Sequence, residues 1–168
     1  MFEEKIREIE IVVKTNGSAS QAIKDDFETV YDAETYVDKK MASDINLADS
    51  TSVLNFVVDG AGNVLINEHF LKTQNSAVKY YLYYVETYND GTDDTVVLSG
   101  KDNLASAVSL FYSKKGASRD KENLETAIGK VFNTHGGFES EYDFAWDKNP
   151  APEPEPEPND NELNESEG

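Results

Sequence analysis

The sequence predicts an α+β fold: an antiparallel four-stranded meander packed against helices, including a C-terminal helical hairpin, followed by a disordered acidic tail. Three observations carry that prediction. Apolar and alternating runs between residues 53 and 98 are separated by turns rich in Gly, Asn and Asp, as antiparallel hairpins require. Apolar residues spaced three and four apart dominate the segments on either side. From Asn149 the chain changes to alternating Pro and Glu.

Residues 2–15 fit two periods. Phe2, Ile6, Ile9 and Val13 make a helical stripe, while Ile9, Ile11 and Val13 alternate as in a strand, so a helical start running into extended chain is expected. Asn16-Gly17-Ser18 is a break. Ser18 or Ser20 then caps a helix over 19–41, with Ile23, Phe27, Val30 and Tyr31 on one face. Residues 42–52 read as a loop. Val53–Val58 and Val64–Leu71 form a hairpin about Asp59-Gly60-Ala61-Gly62-Asn63. Residues 78–88 are a third strand, very rich in Tyr. Asn89–Asp94 is its turn, and Thr95–Leu98 the fourth strand.

Residues 102–134 read as a helical hairpin. Asp102 caps its first helix and Leu104, Val108, Phe111 and Tyr112 line it. Gly116 is a C-cap, Ser118 starts the second helix, and Leu124, Ile128, Val131 and Phe132 give that helix its stripe. Tyr142, Phe144 and Trp146 then alternate as a short edge strand or an extended segment laid over the core. No internal repeat is evident. Residues 1–147 make a single α+β globular domain, and 148–168 a disordered Pro/Glu-rich acidic tail.

Composition removes several functions. Among 168 residues there is no Cys, which excludes disulfides, Cys-ligated zinc and thiol nucleophiles. No apolar run approaches the ~20 residues of a membrane span, and the opening Met1-Phe2-Glu3-Glu4-Lys5 is unlike a secretory signal, so a cytoplasmic protein without membrane contact is expected. His69 and His135 have no metal-binding spacing. Loops starting at Asp59 and Asp90 put Val64 and Thr95 where a calcium loop needs Gly. No nucleophile or phosphate-cradle motif is present. Neither an enzyme nor a cofactor is expected.

Charge points elsewhere. The net charge is −18; seven acids and Lys148 give −6 to residues 148–168, leaving −12 on 1–147. Asp25, Asp26, Glu28, Asp32, Glu34 and Asp38 crowd into one stretch. On a helix that stretch spans about 21 Å, roughly one charge per 3.5 Å, near the ~3.4 Å phosphate spacing of a DNA strand. Tyr81 and Tyr83 form a second aromatic face on the third strand, suited to a protein interface or to stacking bases.

These features predict a non-enzymatic macromolecular-interaction protein acting through an acidic folded surface, with an inhibitor that mimics nucleic-acid charge as its sharper form. The expected partner is another protein with a basic surface. A single-stranded nucleic-acid-binding protein with a regulatory acidic C-terminal tail is one alternative, and a structural or assembly subunit the other. Direct nucleic-acid binding ranks lower, because only Lys114, Lys115, Arg119 and Lys121 cluster as a cationic patch. The oligomeric state is left open.

Overall fold

At the start of the chain, Ile9, Ile11 and Val13 alternate with Glu8, Glu10 and Val12, so an extended backbone sends two different rows to opposite faces. In the computed structural model, which describes residues 1–99 and 102–150, that backbone is β1 (Ile6–Lys14). It is followed by β2 (Ala19–Phe27), α1 (Val30–Asp44), β3 (Ser50–Val58) and β4 (Val64–Leu71). The same order then recurs as β5 (Tyr80–Tyr88), β6 (Asp93–Ser99), α2 (Leu104–Ser118), β7 (Leu124–Asn133) and β8 (Phe138–Asp147). The described strands form two antiparallel four-stranded sheets, ordered β2-β1-β3-β4 and β6-β5-β7-β8.

The chain is therefore a ββαββ unit used twice. Ile6 and Tyr80, Ala19 and Asp93, Val30 and Leu104, Ser50 and Leu124, and Val64 and Phe138 open corresponding elements, each pair 74 residues apart. Gly17 and Gly91, and Gly62 and Gly136, hold positive φ at the same spacing, in the hairpin turns where only a residue without Cβ sits unstrained. The helix caps correspond too. The Thr29 hydroxyl accepts from Asp32 N–H and the Asn103 amide oxygen from Ser106 N–H. The repeat that the residues conceal is plain in the backbone.

The two sheets pack face to face. Ile9, Ile11, Val13, Leu54, Phe56 and Val58 from the first meet Tyr81, Tyr83, Val85, Val97, Ile128 and Phe132 from the second. Phe56 sits at the centre, its ring 4.7 Å from Phe132 and 6.0 Å from Tyr83, both edge-on. The helices close the outer faces. Ala33 and Val37 of α1 pack on Val57, while Ala107 and Phe111 of α2 pack on Leu82, Tyr84, Leu124, Ala127 and Val131. The layers run helix, sheet, sheet, helix.

The α+β class holds, but several expectations need correction. Both expected hairpins form, β3 with β4 and β5 with β6, yet they belong to different sheets, so there is no single four-stranded meander. The expected helix over 19–41 is split: β2 runs to Phe27, Thr29 caps, and only Val30–Asp44 is helical. The helical start at residues 2–15 gives way to β1. The C-terminal helical hairpin is absent: α2 runs through Gly116 to Ser118, and residues 124–133 are the central strand β7. The N-cap of α2 is Asn103, one residue after Asp102. Of the tail predicted as disordered, residues 151–168 lie outside the described residues.

Two glycines of the second unit make opposite predictions. A Cβ on Gly129 would stand 2.8 Å from the Tyr84 ring, which crosses β7 at that point; one on Gly116 meets nothing within 4 Å. Gly129→Ala is expected to cost about 1–3 kcal/mol through overpacking. Gly116→Ala is expected to stabilise by roughly 0.5–1 kcal/mol as a helix-interior replacement. Denaturant titration of both variants checks the pair; equal effects would contradict the packing of Tyr84 over β7.

Candidate interaction surfaces

The outer helix layers occupy equivalent positions in the two units, but their chemistry has diverged. On the first unit, Asp25 and Asp26 lie on β2, Glu28 precedes the cap, and Asp32, Glu34 and Asp38 lie on α1; all six are exposed. Asp25 pairs with Lys5 at 3.3 Å and Asp26 with Lys24 at 2.9 Å. Among the described residues no ion pair engages Glu28, Asp32, Glu34 or Asp38. Glu34 and Asp38 stand one turn apart on α1, whereas Asp32 projects from another side of it. The six carboxylates therefore share one stretch of surface, but not the single continuous helix used to estimate their spacing.

Tyr81 and Tyr83 leave the candidate surface. They are 4% and 0% exposed, and the first sheet covers the face that looked open in the sequence. An inter-sheet core needs bulk, and these two side chains supply it.

Beneath α1 the first unit buries acids. Glu8 and Glu10 point outward from β1, with Asn55 opposite Glu10 on β3. Lys40 of α1 lies 3.7 Å from Glu10 and 3.6 Å from Asp44. Burial, and then the neighbouring charge of Glu10, push the Glu8 carboxyl up to about 8. Burial and the adjoining Asp44 push Glu10 up to about 7. The second unit places Tyr84 and Ser118 where the first has Glu10 and Asp44. Their hydroxyls are 2.6 Å apart, and Ser118 also donates to Glu86 at 3.0 Å.

The outer side of the second unit is cationic and aromatic. Helix α2 carries Lys114 and Lys115 and no acid. Tyr142, Phe144 and Trp146 point outward from β8 beside it, because their partners on β7 include Gly129 and Ala127 of the outer row. Lys115 Nζ lies 4.9 Å from the centre of the Phe144 ring. Lys121 bonds Glu86 at 2.9 Å, and that bond first of all raises its pKa. Ser118, Arg119, Lys121, Leu124, Phe144 and Trp146 enclose a cleft of about 280 Å³. Trp146 is 40% exposed and nearby Tyr112 56%. The alternation of Tyr142, Phe144 and Trp146 and the basic cluster at 114–121 were both visible in the sequence. Their meeting across more than 20 residues was not, because β8 was not placed against a strand at 124–133.

The remaining candidates are occupied structurally. Asp59 accepts from Ala61 and Asn63 N–H, and Asp90 from Thr92 N–H, so both acidic loops serve their own turns. His69 packs against Gly136, and His135 Nε2 lies 3.3 Å from the Ser76 hydroxyl. Among the described residues no group of three or more His, Asp or Glu side chains is arranged to hold a metal ion, and no helix is long and apolar enough to cross a membrane. No protein-family model, no curated protein and no solved structure matches the chain.

The buried carboxyls set a pH window. Both bind a proton more tightly folded than unfolded, where the ordinary value is 4.5. Their contribution to stability is complete below that value and is lost as pH rises through about 7 to 8. Denaturant unfolding is therefore expected to show a loss of several kcal/mol, at most about 6, between about pH 5 and pH 8.5. Glu8→Gln with Glu10→Gln should flatten the profile; an equally steep profile in that variant would contradict the assignment.

Proposed function

We propose that this chain is a non-enzymatic macromolecular-interaction protein whose acidic face, from the end of β2 into α1, engages the basic surface of another protein. In its sharper form it is an inhibitor that presents carboxylates where a nucleic-acid-binding partner receives phosphates. The observation that carries this reading is the set of exposed carboxylates at Glu28, Asp32, Glu34 and Asp38, unneutralised among the described residues. Exposed, unpaired charges of one sign speed encounter with a basic partner and disfavour anionic ones. They also leave the framework undisturbed, since the helix is held from below by Ala33 and Val37.

The test compares the immobilised chain with a variant in which all four charges are reversed by Glu28→Lys, Asp32→Lys, Glu34→Lys and Asp38→Lys. Host proteins first recovered from a duplex-DNA column are passed over both. The wild-type chain is expected to retain a basic protein that added duplex DNA displaces, and the variant to bind it at least about tenfold more weakly, a loss of roughly 1.4 kcal/mol. Equal retention on both surfaces, or retention indifferent to DNA, would overturn the reading.

A further inference from the structure

The cleft at the C-terminal end of α2 brings together an aromatic wall and uncommitted cations. Phe144 and Trp146 line it from the outer face of β8; Trp146 stands opposite the small Ala127, and its indole stays 40% exposed. Arg119 lines it from the end of α2, and Lys115 stands one turn back, its Nζ 4.9 Å from the centre of the Phe144 ring. Three acids border the cleft, and each already has a partner. Glu86 binds Lys121 and Ser118, Asp147 binds the N-terminal amine at 2.7 Å, and Glu125 accepts from the Asn149 amide at 3.0 Å. Asp120 and Glu122 flank this end of the helix but do not line the cleft. Among the described residues no acid pairs with Arg119 or Lys115, whose ammonium rests on aromatic rings instead. We propose that the cleft binds a nucleoside phosphate unit, its base against Trp146 and its phosphate between Arg119 and Lys115, whether free or within a single strand. The site is independent of the acidic face of the first unit.

Three features favour that ligand. Cations beside an aromatic wall match an anion carried next to a flat ring, and a guanidinium holds phosphate oxygens in a bidentate fork. The volume, about 280 Å³, lies near the lower bound of the roughly 300–1,000 Å³ of small-ligand sites, room for one nucleotide rather than for a folded partner. The framework has no need of the cations, since the first unit sets Met41 and Ile45 at the helix positions of Lys115 and Arg119. The Ser118 hydroxyl is already bound to Tyr84 and Glu86, so recognition rests on stacking and charge rather than on the base edge. Along a strand, Tyr112, 56% exposed and on the same face of α2 as Lys115, offers the next base a platform.

Trp146 is the single Trp of the chain and reports binding in the full-length protein directly. Adenosine monophosphate is expected to quench its fluorescence with a dissociation constant on the order of 1 mM at low salt, as one stacked base and one clamped phosphate allow. Added salt should weaken binding by screening. Adenosine, which lacks the charge, should bind at least about tenfold more weakly, and inorganic phosphate should compete without quenching. Arg119→Glu should weaken nucleotide binding about tenfold, with circular dichroism confirming the fold. Lys39→Glu, the same charge change on the exposed side of α1, should leave it within about twofold. Equal losses in the two variants would overturn the proposal as an effect of net charge, and so would equal quenching by adenosine.

Oligo(dT) distinguishes the two sources of the unit. Binding about tenfold or more tighter than thymidine monophosphate assigns it to a strand, and equal binding per nucleotide assigns it to a free nucleotide. Tetraglutamate binding more tightly than either would give the cleft to an acidic peptide and overturn the proposal. So would the absence of quenching by every nucleotide.

Discussion

Each sheet turns one apolar face onto the other sheet, and the rest of the structure depends on that constraint. A four-stranded sheet with a single helix on it seals one side of its central strands. The inward rows, centred on Phe56 in the first unit and on Tyr83 and Phe132 in the second, are apolar and aromatic and stay exposed unless the units meet. Their burial against each other makes β1, β3, β5 and β7 interior on both faces. A polar tie accompanies the apolar contact. Arg7, fully buried on β1, reaches Glu3 at 2.5 Å and Asp93 of the second unit at 2.8 Å. Losing one carboxylate leaves this buried cation a single anionic partner and losing both strands it, so these bonds fix how the units meet more than they add net stability.

That double burial also explains which parts of the fold were legible. The hairpins about Asp59–Asn63 and Asn89–Asp94 were readable because their turn residues have a local cause. Helix α2 was readable from its own stripe. Strand β7 was not. Leu124, Ile128 and Phe132 lie four apart and so read as a helical stripe, although a register irregularity near the start of β7 turns Leu124 to the outer face and leaves Ile128 and Phe132 on the inner one. Val131 looked like helical support because a strand buried on both faces carries apolar residues in both rows. Strand β2 failed for the opposite reason. As an exposed edge it carries only Ile23 and Phe27 as large apolar residues, and those happen to stand four apart.

The candidate surfaces were legible to the same degree. The acidic stretch at 25–38 is where the sequence placed it, but on a strand end and a helix. Tyr81 and Tyr83 were singled out for an aromatic face that lacked cover, and the missing cover proved to be the other half of the chain. The cleft beside Trp146 depends on the position of β8 against β7, a long-range pairing that local patterns do not encode. The repeat itself was invisible because few positions keep their residue: the glycines at 17, 62, 91 and 136, and Ala33, Lys40, Val57 and Phe70 with Ala107, Lys114, Val131 and Phe144, are scattered too thinly to show as a pattern. The outer residues of the two units were free to diverge without disturbing the shared interior. One carries exposed acids and the other cations and aromatic rings on the same framework.

If the inter-sheet core binds the units into one cooperative structure, neither should melt without the other. Native-state hydrogen exchange across a denaturant series measures this directly, read at the amides of Ile11 and Phe56 in the first unit and Tyr83 and Phe132 in the second. The four sites are expected to converge on one opening free energy, equal to that of global unfolding followed by Trp146 fluorescence. Separate free energies for the two units, with one still protected after the other has opened, would contradict the dependence of each sheet on its partner.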